Sequence, residues 1–454
     1  MTDLVQERYT AIHLLRADHS VKEVARQLRR SPRWVRKWRK RFDEEDWPGL
    51  ESRSRAPHNH GTRFPEPTRQ AIAQTRSELE AEAYQGDGLK YIGGIAVRTR
   101  LKEKGEHPLP SLSTIERVLG EKGMTRPYQS KDSPKIEYPH LQPREPQQLC
   151  QVDIVPHFLT GGETVACFNA LDVVSRYPTG QAYAQKRSQD AANLLIHLWQ
   201  TVGIARYTQV DNESCFSGGF THPHVLGKVV RLALHVGTEL VFSPVRHPQS
   251  NGFVERFHQD YNLHVWQDTY LEDRDAVQTQ GDHFFELYRH SRHHSALNGK
   301  TPQEVHRQIA SQLLPSDFCL PKQKFPLREG RVHFIRRVHA DCTISVLNVS
   351  WPVLGVAPDT GVWATLEISC SGATLSIYDA APDQEKRSCL IRHPFPLSEV
   401  VEPREKTDDT DNGAPYALLI ASVGEIVRSS ASLAWVTFTR TIRLANGLMR
   451  GTIY

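Results

Sequence analysis

A segment rich in proline divides this chain of 454 residues into parts with different local patterns. Prolines stand at positions 127, 134, 139, 143 and 146, and each removes a backbone N–H donor and fixes φ. No helix can run through such a segment, so residues 125–148 are predicted to form an extended linker. Helical periodicity precedes the linker and strand patterns follow it. The sequence therefore predicts a multidomain protein with all-α domains in front and an α/β domain in the middle.

The first 48 residues contain three short helical patterns joined by tight connections. Ser20 is a suitable N-cap for the second helix, and Pro32 suits the first turn of the third. One face of the third helix is apolar, whereas the opposite face carries four candidate DNA contacts, namely Arg33, Arg36, Lys37 and Lys40. A tight turn before a basic third helix is typical of a DNA-binding helix-turn-helix, although a generic three-helix bundle is the alternative.

Charge is concentrated locally in this chain, whose formal net charge is only +4. Between residues 22 and 41 one acidic residue, Glu23, stands among basic residues. The basic residues are Lys22, Arg26, Arg29, Arg30, Arg33, Arg36, Lys37, Arg39, Lys40 and Arg41. Such a local excess indicates a surface that binds phosphate, with a solvated helix face as the simpler reading.

Two further segments lie between the first domain and the proline-rich linker. Residues 49–64 contain Arg53 and Arg55, which could enter a DNA minor groove or belong to a plain linker. Residues 65–124 contain further helical patterns, the last of them capped by Ser111. This segment is predicted to be a second helix-turn-helix, with Arg117 as its candidate DNA contact.

Three acidic residues stand out in residues 149–310, where strands and helices alternate. Asp153 lies within an apolar strand, Asp211 directly follows a later strand, and Glu255 lies near the start of a helix. A charged residue inside an apolar strand is costly unless it has a partner. If the three carboxylates converge, they form an oxygen-rich site suited to Mg²⁺ or Mn²⁺. Glu213 and Glu239 are alternative third ligands.

Several motifs in this region resemble those of the DDE transposases of bacterial insertion sequences, which belong to the retroviral integrase-like superfamily. The motifs are Gln151-Val152-Asp153, residues 170–177, Asp211-Asn212, residues 247–258, residues 288–297 and residues 301–305. The chain departs from the family pattern in two respects. Glu213 stands where the family usually has glycine, and the interval from Asp211 to Glu255 is longer than usual.

The resemblance implies an RNase H-like catalytic core in which two Mg²⁺ or Mn²⁺ ions drive phosphoryl transfer. Asp153 would bridge the two ions, Asp211 would hold one and Glu255 the other. Arg256, in the same motif as Glu255, is a further candidate DNA contact. The implied activity is that of a DNA transposase, which binds the terminal inverted repeats of its element, cuts the 3′ ends and joins them to target DNA.

Two other functions remain open from the sequence. One is a DNA-binding regulator derived from a transposase whose core has lost activity, and the other is a nuclease acting on RNA–DNA hybrids. A transposase implies double-stranded DNA as a partner, at least a dimer because two element ends are handled together, and possible accessory transposition proteins. No apolar run approaches the roughly 18 residues of a membrane span, so a cytosolic protein without membrane contact is expected.

The end of the chain is predicted from strand and turn patterns. Residues 325–395 are expected to form a small β-barrel, and residues 396–454 an acidic linker and tail. The seven cysteines form no CxxC pair and do not cluster with histidines at zinc spacing. They are expected to be buried, reduced thiols.

Overall fold

The computed structural model describes residues 3–52, 64–83, 85, 88–125, 137–159, 161–218, 223–245 and 247–403. Two compact units divide between Glu66 and Pro67 and are treated separately below. Arg53, Arg55 and most of the predicted C-terminal tail lie outside the described residues. Within the described part, no helix is both long and apolar enough to span a membrane.

The first unit contains the three helices expected from the sequence, α1 (Asp3–Arg16), α2 (Val21–Gln27) and α3 (Pro32–Glu45), followed by a 3₁₀ turn at Trp47–Leu50. Ser20 and Glu23 form a capping box at the start of α2, and the Ser31 hydroxyl accepts a hydrogen bond from Trp34 N. In the turn between α2 and α3, Arg29 adopts a positive φ of 51°, where a glycine is usual. Small apolar side chains then form the shared core, among them Ala11, Val24, Ala25 and Val35.

The second unit begins with another group of helices, α4 (Glu66–Ala83), α5 (Gly94–Glu103) and α6 (Leu112–Glu121). The predicted cap is present, since the Ser111 hydroxyl accepts a hydrogen bond from Thr114 N. These helices pack through their own cluster of buried side chains, which comprises Ile72, Val97, Leu101, Ile115, Val118 and Leu119.

A nine-stranded mixed sheet dominates the rest of the second unit, in the order β12-β11-β10-β7-β5-β4-β1-β2-β3. Its first five strands are β1 (Leu149–Phe158), β2 (Thr164–Asp172), β3 (Pro178–Tyr183), β4 (Tyr207–Val210) and β5 (Glu239–Phe242). Strands β1 to β3 form antiparallel hairpins, whereas β1, β4 and β5 run parallel. This arrangement agrees with the α/β layer fold expected for residues 149–310.

Helices cover both faces of this part of the sheet. The helices are α7 (Ser188–Thr201), α8 (Ser214–Ser217), α9 (Lys228–Val236), α10 (Gly252–Tyr261), α11 (Arg274–Ser291) and α12 (Pro302–His306). Helices α7 and α9 bury Trp199 and Leu232 against one face. On the other face, α10 and α11 pack Phe257 and Phe284 over Leu171 of β2. Short 3₁₀ turns lie at Pro248–Asn251 and Ser295–Leu297, and one π turn at Asn262–Trp266.

The β-barrel predicted for residues 325–395 is not confirmed, because its main strands extend the central sheet. They are β7 (Gly330–Arg337), β10 (Gly361–Ser369), β11 (Gly372–Tyr378) and β12 (Cys389–Phe395). β7 pairs in parallel with β5, and β10, β11 and β12 then add in antiparallel order. This pairing satisfies the backbone groups at the edge of β5.

The remaining strands of this region are short. They are β6 (Leu327–Arg328), β8 (Thr343–Val346), β9 (Val349–Pro352) and β13 (Val401–Glu402). β8 and β9 form a hairpin through Leu347 and Asn348, both with positive φ. Cys319, Cys370 and Cys389 are exposed, so the expectation that the cysteines are buried was wrong for these three thiols.

A buried histidine in α9 predicts how stability depends on pH. Burial, helped by the charge of Arg328, lowers the pKa of His235 to about 4, and this side chain is nearly inaccessible. Between pH about 6.5 and 4 the unfolded chain therefore binds a proton that the folded chain does not. As the pH decreases from about 6.5 to 4, we expect the titration of His235 to lower the free energy of unfolding by about 3 kcal/mol.

Urea denaturation of the wild type, His235→Gln and His283→Gln at pH 7 and pH 4.5 measures this dependence. His283 is exposed and serves as the matched control. The His235→Gln protein is expected to lose less stability on acidification than the wild type. An equal loss in all three proteins would mean that His235 is not responsible.

Candidate active site

Two of the three predicted acidic residues lie on adjacent parallel strands. Gln151 of β1 is opposite Gln209 of β4 in the sheet register. Continuing that register by two residues sets Asp153 opposite Asp211. Because side chains alternate along a strand, both carboxylates lie on the same face of the sheet as these glutamines. The topology thus brings together Asp153 and Asp211, which are 58 positions apart in the chain (211 − 153).

The two glutamines hold the start of the helix that carries Glu255. Gln151 Oε1 accepts hydrogen bonds from Phe253 N and Val254 N at 3.2 and 3.3 Å. The side-chain amides of Gln151 and Gln209 both donate to Ser250 O, at 3.1 and 3.0 Å. The first turn of α10 is therefore attached to β1 and β4 two residues before each aspartate. Sequence reasoning missed these glutamines, although the Gln-x-Asp pattern occurs in both strands.

The surroundings of these three carboxylates make their ionised form less favourable, so their pKa values are raised. Burial is the main cause that raises the pKa of Asp153 to about 6, and the nearby charges of Glu255 and Glu213 raise it further. Burial, with Glu213 and Asp153, raises the pKa of Asp211 to about 7. Burial also raises the pKa of Glu255. A cation bound among these oxygens would reverse these shifts.

The donor set is chemically suited to Mg²⁺ or Mn²⁺, because it consists of carboxylate oxygens. As the side chains stand, no group of three or more His, Cys, Asp or Glu in the described part of the chain is arranged to hold a metal ion. Asp153 Oδ2 lies 3.5 Å from Nδ1 of the buried His258.

The two alternative third ligands differ in position. Glu239 pairs in register with Tyr207 at the beginning of β4, whereas Asp211 follows the end of that strand. Its carboxylate contacts His333 Nε2 at 2.6 Å, so the structure does not bring Glu239 to the other acids. Glu213 is close to Asp211, and its carboxylate forms an ion pair of 2.7 Å with Lys186 Nζ.

A buried arginine of β7, Arg336, reaches the loop that carries Asp211. Arg336 Nη2 donates to Asn212 Oδ1 at 2.9 Å, and Nη1 donates to Ser243 O at 3.2 Å. Burial lowers the pKa of Arg336 to about 10, so the side chain remains charged at neutral pH. The sequence did not reveal this contact, because Arg336 lies in the segment that was predicted to be a separate barrel.

The candidate DNA contacts that the structure describes are on the surface. Arg33, Arg36, Lys37 and Lys40 are all exposed on α3, opposite the buried Val35 and Trp38. Arg117 is exposed on α6 and Arg256 is exposed on α10. Asp172, in another of the motifs, accepts hydrogen bonds from Ser175 N and Gln147 N and so holds the ends of the strand segments together.

Comparison with known proteins supports the resemblance to integrase-like transposases in two segments of the chain. Residues 236–302, which include Glu255, match the family described as "Integrase core domain". Residues 2–50 match the family described as "Homeodomain-like domain". A relative named "Putative integrase ORF3", from Spiroplasma virus SpV1-C74, is 41% identical over 61 residues. These residues are 13% of this chain and 17% of the viral protein.

Solved structures of viral integrases are also similar to the chain. The catalytic core domain of BIV integrase is 20% identical, with a TM-score of 0.28, over 36% of this chain and 95% of that one. A simian T-cell lymphotropic virus intasome in complex with PP2A regulatory subunit B56 gamma is 14% identical, with a TM-score of 0.32, over 72% of this chain and 100% of that one. The two family matches show that the chain contains a segment similar to integrase cores, residues 236–302, and a homeodomain-like segment, residues 2–50.

Proposed function

We propose that this protein is a DNA transposase that binds the terminal inverted repeats of its mobile element, cuts their 3′ ends and joins them to target DNA. The supporting observation is the arrangement of Asp153 and Asp211 on one sheet face, with the helix of Glu255 attached above them through Gln151 and Gln209. The basic helix α3 supplies the DNA-binding surface that such an enzyme needs.

Asp153, Asp211 and Glu255 would together hold two Mg²⁺ or Mn²⁺ ions. When bound, two such ions activate a water or a 3′-hydroxyl and stabilise the leaving oxygen. The protein's own part is to orient the carboxylates, through the hydrogen bonds that anchor α10 and the Asp211 loop. Arg256, exposed one position after Glu255, would hold a phosphate of the bound strand.

The proposed activity has a consequence for the oligomeric state of the protein, because a transposase must hold two element ends together. We infer at least a dimer on double-stranded DNA, with accessory proteins as further partners. An inactive DNA-binding regulator is the alternative function. The presence of all three acids, with Asp153 and Asp211 opposite each other on adjacent strands, favours the enzyme.

Strand cleavage tests the proposed activity directly. Wild type and Glu255→Gln are incubated with Mg²⁺ or Mn²⁺ and a labelled duplex taken from the DNA that flanks the gene. We expect 3′-end cutting and joining by the wild type only, because the amide cannot supply a charged metal ligand. Binding without cleavage by either protein would favour the regulator. Equal cleavage by both would remove Glu255 from the site and direct attention to Glu213.

The salt dependence of binding tests the role of α3. Replacing Arg36, Lys37 and Lys40 together with glutamine preserves helix propensity and removes three exposed charges. We expect weaker binding to the element end, and a plot of log K against log salt that is flatter by about 0.9 for each lost phosphate contact. Arg16→Gln, an exposed arginine at the end of α1, is the control. An unchanged slope in the triple variant would mean that α3 does not contact the DNA backbone.

A further inference from the structure

A cavity of about 950 Å³ lies beside the candidate active site. Its walls come from residues 137–143, the start of α10 and the end of α11. Gln151 and Gln209, which anchor α10, form part of its floor. A volume of this size is at the upper end of the range of small-ligand sites, about 300–1,000 Å³.

Three arginines from separate parts of the chain converge on this cavity. Arg176 follows β2, Arg256 lies on α10 and Arg292 follows α11. In the described part of the chain, none of the three forms an ion pair of 4.0 Å or less with a carboxylate. The acidic residues of the lining are Glu137 and Asp260. The cavity therefore has a surplus of positive charge, which is suited to an anionic ligand.

Two polar atoms in the cavity wall also lack hydrogen-bond partners. Nε of Arg292 and Nε2 of His294 are buried and, among the described atoms, make no hydrogen bond. Burial, helped by the charges of Arg292 and Arg176, lowers the pKa of His294 to about 3. Both atoms have almost no exposed surface, so a ligand would reach them only after these side chains turn toward the cavity, which would relieve the cost of leaving them unsatisfied.

An aromatic ring lies next to the arginines. Phe253 is 44% exposed, and the guanidinium carbon of Arg176 lies 4.0 Å from its ring centroid. Aromatic rings and arginine planes are the surfaces on which proteins stack unpaired nucleobases. Gln151, two positions before Asp153 on the same face of β1, also lines the cavity, so an occupant would adjoin the candidate active site.

We propose that this cavity binds one unpaired nucleotide of the DNA strand, with its phosphate on Arg176, Arg256 and Arg292 and its base against Phe253. The inference rests on the proposed function, because it makes the nucleotide part of the strand bound at Asp153, Asp211 and Glu255. A single nucleotide leaves the duplex to enter such a pocket, and the lost base stacking is offset by the new aromatic contact.

Base extrusion is measured with full-length protein and end duplexes that carry 2-aminopurine at one position at a time. We expect the wild type to raise the fluorescence at one position near the cleavage site, and Phe253→Ala and Arg292→Gln to remove that rise. Arg274→Gln, an exposed arginine in the first turn of α11, is expected to behave as the wild type. Thermal melting of each variant verifies that it is folded.

Calorimetry with deoxyadenosine monophosphate provides a second readout that does not need cleavage or metal. We expect Arg292→Gln to weaken binding about tenfold, as the loss of charge-assisted hydrogen bonds predicts. Suppose that the wild type and Arg292→Gln bind the nucleotide equally well, and that Phe253→Ala leaves the rise in 2-aminopurine fluorescence unchanged. These two results together would overturn the proposal even if the wild type cuts DNA. Nucleotide binding that depends on Arg292 in a protein that cuts nothing would retain the cavity and reject the transposase.

Discussion

Asp153→Asn is expected to abolish metal-dependent strand cleavage while leaving end binding intact. The amide has the same shape as the carboxylate but no charge, so it cannot neutralise bound cations. A loss of about 4 kcal/mol of transition-state stabilisation corresponds to about a 10³-fold lower rate. Binding is expected to persist because the exposed basic residues of α3 are unchanged. Single-turnover cleavage and gel-shift titration on the same duplex measure the two effects.

The fold of this variant should not suffer, and this separates a site residue from a structural one. Burial, together with the charges of Glu255 and Glu213, raises the pKa of Asp153 to about 6, so its ionised form is unfavourable in the folded protein. A neutral amide at this position removes that unfavourable charge. We therefore expect an unchanged or slightly higher melting temperature. Asp317→Asn, at an exposed aspartate, is the matched control for the substitution. Normal cleavage by Asp153→Asn would reject the assignment of the three acids.

The sequence predicted those features of the candidate site that depend only on neighbouring residues. Asp153 is an acid within an apolar strand and Asp211 follows a strand end, and both features can be read from a few neighbouring residues. Parallel strands then bring the two acids to one face of the sheet, as the structure has them. The cap at Ser20 and the Pro32 start of α3 were predictable for the same reason, because capping depends on adjacent residues.

Other features depended on pairing between distant segments, which no local pattern encodes. Strand patterns predicted strands within residues 325–395, but an alternating strand fits a barrel and a sheet extension equally well. Only the pairing of Val241 with His333, 92 positions later (333 − 241), distinguishes the two. Arg336 was missed and Glu239 was kept as a candidate ligand for the same reason. Both assignments require knowing which strand neighbours β5.

Phe334→Ala is expected to destabilise the second unit as a whole, because β7 shares the core with the candidate active site. Phe334 is almost fully buried and stacks on Phe242 of β5, with ring centroids 5.1 Å apart and planes inclined by 6°. Truncating a buried phenylalanine costs about 3–5 kcal/mol. Since β5 belongs to the same sheet as β1 and β4, the loss should lower the unfolding midpoint of β1 and β4 as well. Urea denaturation followed by hydrogen exchange of the β1 and β4 amides measures this coupling.

Leu354→Ala provides the matched control, because Leu354 belongs to the same C-terminal region but is 75% exposed. Its unfolding free energy should stay within about 0.5 kcal/mol of the wild type, as surface substitutions usually do. A separate barrel predicts a different result for Phe334→Ala, in which residues 330–395 melt early while the β1 and β4 amides keep their protection. A sheet shared across β5 and β7 instead predicts one transition, so that a substitution beyond residue 330 weakens the support of Asp153 and Asp211.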